Sequence, residues 1–455
     1  MTNRNSATAG NSRPVAIDLF AGAGGMSLGF EQAGFDVAAA VEVDPIHCAV
    51  HKFNFPDTVV IPQSVSSLSG KRIRDLAGLG DRDVDCVFGG PPCQGFSLMG
   101  QRVLDDPRNS LVMDFVRLVS ELNAKTFVFE NVKGLTVGKQ RAFLDELVEA
   151  FAAKGYQVRL PWRVLDAANY GVPQHRERLI LFGSRIGHKV PDYPLAVSNP
   201  ASGKRYIPGL RLGPSCEQAI GDVPDAENFD VLTLTDAVPS YSFKEPSDYA
   251  AEMRCLTNDS WHYSYVRKWN PSLLTSSART VHTDISKRRF SETEPGTVEP
   301  ISRFFKLSPV GISNTLRAGT DGARGAFTSP RPIHYKFARC VTVREMARLH
   351  GFPDWFRLHA TKWHGARQIG NSVPPPLARH VASSVVSALG VVPVRPSKVL
   401  TLGDEQLLYM ELSSAAKYFG VEKPNSKRNM KSGAKKRKQS EIEAAHAHLR
   451  VTNAK

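Results

Sequence analysis

No run of apolar residues in this sequence approaches the roughly 18 that a membrane span requires, and the first fourteen residues, Met1 to Pro14, are polar instead of forming an apolar leader. Neither a membrane anchor nor secretion is expected, so the protein is expected in the cytoplasm. Cysteine is equally sparse. The six in 455 residues (Cys48, Cys86, Cys93, Cys216, Cys255 and Cys340) are scattered and include no Cys-x-x-Cys pair. A disulfide framework and a zinc site are both disfavoured; reduced thiols and no metal are expected. Acid is in short supply too: 58 Lys and Arg face 44 Asp and Glu, giving a formal net charge of +14. That excess points to a polyanionic partner without separating DNA, RNA and membrane surface. No internal repeat is visible. The 42% hydrophobic content supports a sizeable core, and the length allows two or three domains.

What the sequence does contain is organised around Gly89-Gly-Pro-Pro-Cys-Gln-Gly-Phe-Ser97. The preceding Val84 to Phe88 reads as a short buried strand, which places Cys93 on a loop at a strand's carboxyl end, where open α/β sheets keep their chemistry. Pro91 and Pro92 fix two φ angles, and Gly89, Gly90 and Gly95 let backbone or ligand come close. The same grammar opens the chain. A β-type run, Val15 to Phe20, stops at Ala21-Gly22-Ala23-Gly24-Gly25, and Met26 to Ala33 then has helical spacing ending at Gly34. A second strand, Asp36 to Val41, delivers Glu42 twenty residues beyond Gly22, where a nucleotide-binding βαβ unit keeps the acid for ribose hydroxyls. Because Gly25 directly follows Gly24, the pattern is not that of a dinucleotide site, and a nucleoside without pyrophosphate suits it better.

Further along, Leu111 to Leu122 is helical, and the buried strand Thr126 to Phe129 ends in Glu130-Asn131-Val132, an acid set to face the thiol. A helix from Gln140 to Lys154 leads to a strand, Tyr156 to Leu165, and then to Gln174-His-Arg-Glu-Arg178, where strand alternation would turn Arg176 and Arg178 to one side. From about Pro191 to Ser313 the regular alternation is lost. Basic and aromatic residues interleave there, in Trp261 to Trp269 and Lys287 to Phe290, a mixture suited to phosphate and base contacts. Order returns near Thr315; Thr342 to His350 reads as a capped helix, and the prolines at 374–376 start a last helix, Leu377 to Leu389. After Pro396 come a short helical pattern, Ser413 to Phe419, and a basic run. Between Lys423 and Lys438 lie eight Lys or Arg and no acid, a stretch read as a flexible arm attracted to nucleic acid.

Taken in order, these segments closely resemble the DNA (cytosine-5) methyltransferases over residues 15 to 190 and 315 to 390. Asp18-Leu-Phe-Ala-Gly-Ala-Gly-Gly25 is similar to the family's cofactor loop, Pro91-Pro-Cys-Gln94 to its nucleophile loop, Glu130-Asn-Val132 to its acid and Gln174 to Arg178 to its paired arginines. Arg344-Glu345, Gly351-Phe-Pro353 and Gly370-Asn-Ser372 match the closing motifs. One departure stands out: Gln63-Ser64-Val65 occupies the place of an acid-containing pair that contacts adenine.

The resemblance implies an α/β fold: a Rossmann-like domain that uses S-adenosylmethionine, with a mostly parallel sheet, plus a smaller irregular target recognition domain. The expected divisions are 1–190 and 314–395 for the catalytic domain, 191–313 for recognition and 396–455 for a flexible basic tail. It implies Cys93 as nucleophile, Glu130 as the acid at the base's N3, Arg178 on its O2 and Arg176 bracing the catalytic loop. S-adenosylmethionine would be held by Phe20, Ala21, Gly22, Gly24, Gly25, Glu42, Val43, Pro91, Leu111, Asn371 and Ser372. The expected partner is double-stranded DNA, whose target cytosine is flipped out for reaction. The protein is expected to act as a nucleoid-associated monomer beside a separate restriction endonuclease. An RNA cytosine methyltransferase and a catalytically silent DNA-binding relative remain open alternatives.

Overall fold

Two-residue periodicity builds the central sheet. Strands β1 (Val15–Leu19), β2 (Asp36–Val41), β3 (Val59–Ile61), β4 (Cys86–Gly89), β5 (Thr126–Val132), β6 (Tyr156–Val158), β7 (Arg163–Asp166) and β8 (Glu177–Arg185) lie in the order β3-β2-β1-β4-β5-β8-β6, with β7 also paired to β8. The computed structural model describes residues 13–92, 109–136, 141–203, 206–240, 242–320 and 328–423. β1 to β5 run parallel; β8 is antiparallel to β5, and β6 and β7 are antiparallel to β8. Ile17, Leu19, Val87, Phe127 and Phe129 enter one apolar cluster, while their alternates Ala16, Phe88, Val128, Ile180 and Phe182 enter another. With both faces covered, these strands are apolar throughout, which makes them legible as short buried runs.

Helices α1 (Gly25–Ala33), α2 (Pro45–Asn54), α3 (Gly70–Leu76), α4 (Ser110–Glu121) and α5 (Arg141–Ala153) are the crossovers. α1 starts after Gly24 at φ +100° and stops at Gly34 at φ +109°, whose N–H closes onto the carbonyls of Glu31 and Phe30. The strand expected over 156–165 is split into β6 and β7 around Leu160-Pro161, since Pro161 has no N–H for the ladder.

Beyond the sheet lie short helices α6 (Cys216–Ile220), α7 (Asp248–Met253) and α8 (Asp284–Glu292), with strands β9 (Val238–Pro239), β10 (Val266–Lys268) and β11 (Leu273–Leu274). They are followed by α9 (Val343–His350), α10 (Lys362–Asn371), α11 (Pro375–Leu389), β12 (Val399–Thr401) and α12 (Leu412–Phe419). A second core joins Cys216, Ile220, Trp261 and Leu307 to Val343, Met346, Leu349 and Ile369, so residues from both sides of position 313 share one interior. α9 has both halves of the expected capping box, Thr342 with Glu345. α11 returns to the sheet and lies on α1 so closely that a Cβ on Gly29 would stand 2.4 Å from that of Ala378.

Two expectations are corrected here. The Trp261 to Trp269 stretch is largely structural: Trp261 stacks on Trp355 at 5.9 Å, Tyr265 Oη donates to Asp36 at 2.8 Å, and Arg267 is buried in an ion pair with Glu31 at 2.7 Å. Its cations and aromatics hold the irregular region to α1. Nor is the segment after Pro396 loose up to Phe419. β12 pairs with β10, and Leu407 and Leu408 pack with Ala49, Val50 and Phe53 of α2, because apolar residues at helical spacing there find an apolar seat. The basic run beyond Lys423 lies outside the described residues. Among the described residues, no helix is long and apolar enough to cross a membrane, and no group of three or more His, Cys, Asp or Glu could hold a metal ion.

Candidate active site

β1 is flanked by β2 on one side and β4 on the other, so the loops leaving β1 and β4 diverge and open a crevice at the strands' carboxyl ends. That crevice is a cleft of about 480 Å³, a size suited to a nucleoside-sized ligand. Its floor follows from the turn after β1. Phe20 (φ +65°), Gly22 (φ +54°) and Gly24 (φ +100°) take the left-handed conformation, and Ala21 N–H donates to Val41 O at 3.0 Å. Glu42, at the end of β2, reaches across with its carboxylate to accept from Gly22 N at 2.9 Å and Asp44 N at 2.8 Å. Below the turn, Asp18 is buried; burial pushes its carboxyl well above the ordinary range, against the pull of the Ser27 hydroxyl, which donates to it at 2.6 Å.

Of the expected cofactor residues, Phe20, Ala21, Gly22, Gly25, Glu42, Val43, Leu111, Asn371 and Ser372 line this cleft. Gly24 and Pro91 do not. A Cβ on Gly24 would run into the Phe55 and His51 rings, and the Pro91 carbonyl accepts from Asn131 Nδ2 at 2.9 Å. Gln63, Ser64 and Val65, the stretch without an acid, also line the cleft. Asp18 of the cofactor-loop motif and Gly90 are on the wall as well, and so are His47, Arg367 and Gln368, which sequence reading did not single out as site residues. Arg367 and Gln368 were hidden because α10 carries Gly365, Gly370 and scattered polar residues, which blur its periodicity.

Glu130 closes the far end. A Cβ on Gly90 would stand 2.3 Å from Glu130 Oε2, so the glycine after β4 makes room for this carboxylate. Pairing of β5 with β8 sets Val132 opposite Arg178, and Arg178 Nε lies 2.7 Å from Glu130 Oε1. Burial raises the Glu130 pKa, while the charges of Arg178 and Arg176 and the Arg178 hydrogen bond pull the other way. Arg176, expected to brace a catalytic loop that lies outside the described residues, donates to the carbonyls of Leu316 at 3.0 Å and Gly370 at 2.6 Å. Gln174 adds to that staple, accepting from Leu316 N at 3.0 Å. Together they fasten the segment bearing Asn371 to the sheet. Burial, helped by Arg178, lowers Arg176 to about 9, still cationic at neutral pH. Cys93 lies outside the described residues, directly after the Pro92 that lines the cleft.

A family model for the C-5 cytosine-specific DNA methylases matches residues 15–387. The chain belongs to that family. It is an enzyme, a DNA (cytosine-5) methyltransferase of the kind found in restriction-modification systems. It is 55% identical over 410 residues to the type II methyltransferase M.XorII of Xanthomonas oryzae pv. oryzae, covering 90% of this chain and 93% of that one. M.AgeI of Thalassovita gelatinovora is 31% identical over 431 residues, covering 82% of this chain and 99% of that one. Among solved structures, a prophage-encoded E. coli protein described as a DNA modification methyltransferase superposes with a TM-score of 0.65 at 31% identity, covering 83% of this chain and 99% of that chain.

Proposed function

We propose that this methyltransferase takes S-adenosylmethionine into the cleft beside Glu42 and transfers its methyl group to C5 of a cytosine flipped out of a specific duplex sequence. Acting as a monomer, it would protect host DNA beside a separate endonuclease. The observation that carries the reading is the joint lining of one cleft by the nucleoside-type loop at Phe20 to Gly25 and by the Glu130 carboxyl paired with Arg178. The residues fit the donor: Glu42 keeps carboxylate lone pairs for ribose hydroxyls, Val43, Val65 and Leu111 offer apolar contact, and the buried Nε2 atoms of His47 and Gln368 on the same wall have no hydrogen-bond partner among the described residues. S-adenosylmethionine, when bound, supplies an electrophilic methyl group.

The chain's own residues prepare the base. C5 of cytosine is a poor nucleophile until a thiolate adds at C6, which leaves the ring an enamine. Cys93 is the thiol for that step. The five described cysteines are free, four of them buried, and burial pushes Cys86 and Cys216 up to about 12 and Cys340 to about 11, which holds them protonated and unreactive. Glu130, its carboxyl favoured in the protonated form by burial, donates toward N3 so that negative charge does not build on the ring during attack. Arg178 holds Glu130 and meets the O2 edge. Loss of the C5 proton and expulsion of the Cys93 sulfur then restore aromaticity. Extrusion from the stack costs a few kcal/mol, met by contacts to the irregular region and to phosphates.

Bisulfite sequencing of DNA from cells expressing the protein or its Cys93→Ala variant tests the proposal. A discrete sequence context protected from deamination only by the unsubstituted protein is expected. Absence of any protected cytosine would overturn DNA methylation as its activity.

A further inference from the structure

The fold leaves two nitrogen donors at the cleft without a use. His47, in the first turn of α2, is 7% exposed, and its Nε2 has no hydrogen-bond partner among the described residues. Its nearest acid, Asp44 Oδ2, is 4.0 Å away, while Asp44 Oδ1 accepts from Ile46 N at 2.9 Å to cap the helix. Gln368 on α10 is 2% exposed; its Oε1 accepts from His359 N at 3.0 Å, and its Nε2 has no partner among the described residues. Unpaired buried N–H groups are rare because each forgoes its hydration without compensation. These two side chains come from elements separated by more than 300 residues, yet both line the one cleft, together with Arg367.

We propose that His47 Nε2 and Gln368 Nε2 donate hydrogen bonds to the α-carboxylate of the bound methyl donor. The assignment rests on the reading of the cleft as the S-adenosylmethionine site. Its chemistry is selective: both groups are donors, Arg367 adds positive charge to the same wall, and the donor's only anionic acceptor is the carboxylate of its amino-acid tail. The remaining parts of that molecule have other neighbours, Glu42 for the ribose and Val43, Val65 and Leu111 for the ring. His47 needs no positive charge for this role, since the neutral tautomer carrying its proton on Nε2 already donates.

Calorimetric binding to the full chain without DNA tests the assignment, with two probes: S-adenosylmethionine and its decarboxylated analogue, which keeps adenosine, sulfonium and amine. His47→Ala is expected to weaken S-adenosylmethionine about tenfold, the scale of one lost charge-assisted hydrogen bond, and to leave the analogue unchanged. Gln368→Glu, which keeps the acceptor facing His359 and removes the donor, should discriminate in the same direction. His47→Gln, whose amide nitrogen can stand near the position of Nε2, should recover most of the affinity. Unaltered affinity for the analogue also certifies that each variant is folded. Equal losses for both probes, or no loss for either, would overturn the assignment. Should the unsubstituted protein bind neither probe, the cofactor reading itself falls and the carboxylate contact with it; should it bind both alike, only the contact falls.

Discussion

In the proposed mechanism Glu130 concentrates the chemistry of the site in one proton. Burial favours its neutral form, Arg178 at 2.7 Å opposes that, and burial prevails, so the carboxyl titrates above the ordinary glutamate range. If the protonated form is the one that works, its contribution to the rate is complete below the raised pKa and lost as pH rises through it, which sets an alkaline limb. The Glu130→Gln variant should lose about 10²- to 10⁴-fold in kcat, the usual worth of a positioned acid, and its rate should no longer fall along that alkaline limb. Single-turnover rates across pH decide it; an unchanged alkaline limb in the variant would assign the limb to another group. At this scale much was legible in the sequence. Glu130, Arg178 and most of the Phe20 to Gly25 turn stand where strand ends and glycines put them, because those signals are local. His47 and Gln368 were not legible: nothing near either residue in the chain announces that α2 and α10 meet over one cleft.

Elements were legible where their own residues carry start and stop signals. Gly34 ends α1, Thr342 with Glu345 begins α9 and the prolines at 374–376 begin α11, all as read. The stretch from Trp261 to Trp269 misled because composition cannot say which way a cation points. Arg267 looked like a phosphate ligand, yet its NH1 and NH2 donate to Glu31 at 2.7 and 2.9 Å, its guanidinium lies 4.7 Å from the Trp355 ring centre, and its side chain is fully buried. Removing one member of such a pair leaves the other charged and dry. Arg267→Ala should therefore cost about 3–5 kcal/mol of stability in urea unfolding, whereas Lys268→Ala, at an exposed neighbour, should stay within about 0.5 kcal/mol. If instead Arg267→Ala keeps full stability and weakens DNA binding, the basic-aromatic stretch is a DNA contact after all.

The parallel sheet of the whole molecule was legible as alternating apolar runs and glycine turns, but its interior chemistry was not, since the second core gathers charged residues from segments far apart in the chain. Its histidines have a collective consequence. Eight of them, His51, His262, His282, His334, His350, His359, His364 and His380, titrate below the ordinary range chiefly because burial penalises the imidazolium; His51 and His334 come down to about 4. Above pH 6.5 neither the folded nor the unfolded chain protonates them. As pH falls from about 6.5 toward 4 the unfolded chain binds these protons and the folded one does not, so each such histidine removes up to about 1.4 kcal/mol per pH unit. Depressed carboxylates act in the same direction at lower pH: Glu345, pulled by Arg339 and His334 down to about 2 against its burial, loses its contribution as pH drops below the ordinary value of 4.5. Asp18 and Glu130, whose carboxyls are raised, and His175, raised by its hydrogen bond to Asp166, work the opposite way, and three groups do not balance eight. Unfolding free energy measured between pH 7.5 and 5 should accordingly fall steeply with acid, with a slope that corresponds to uptake of several protons on unfolding. A flat profile would mean that these histidines already carry their protons in the native interior.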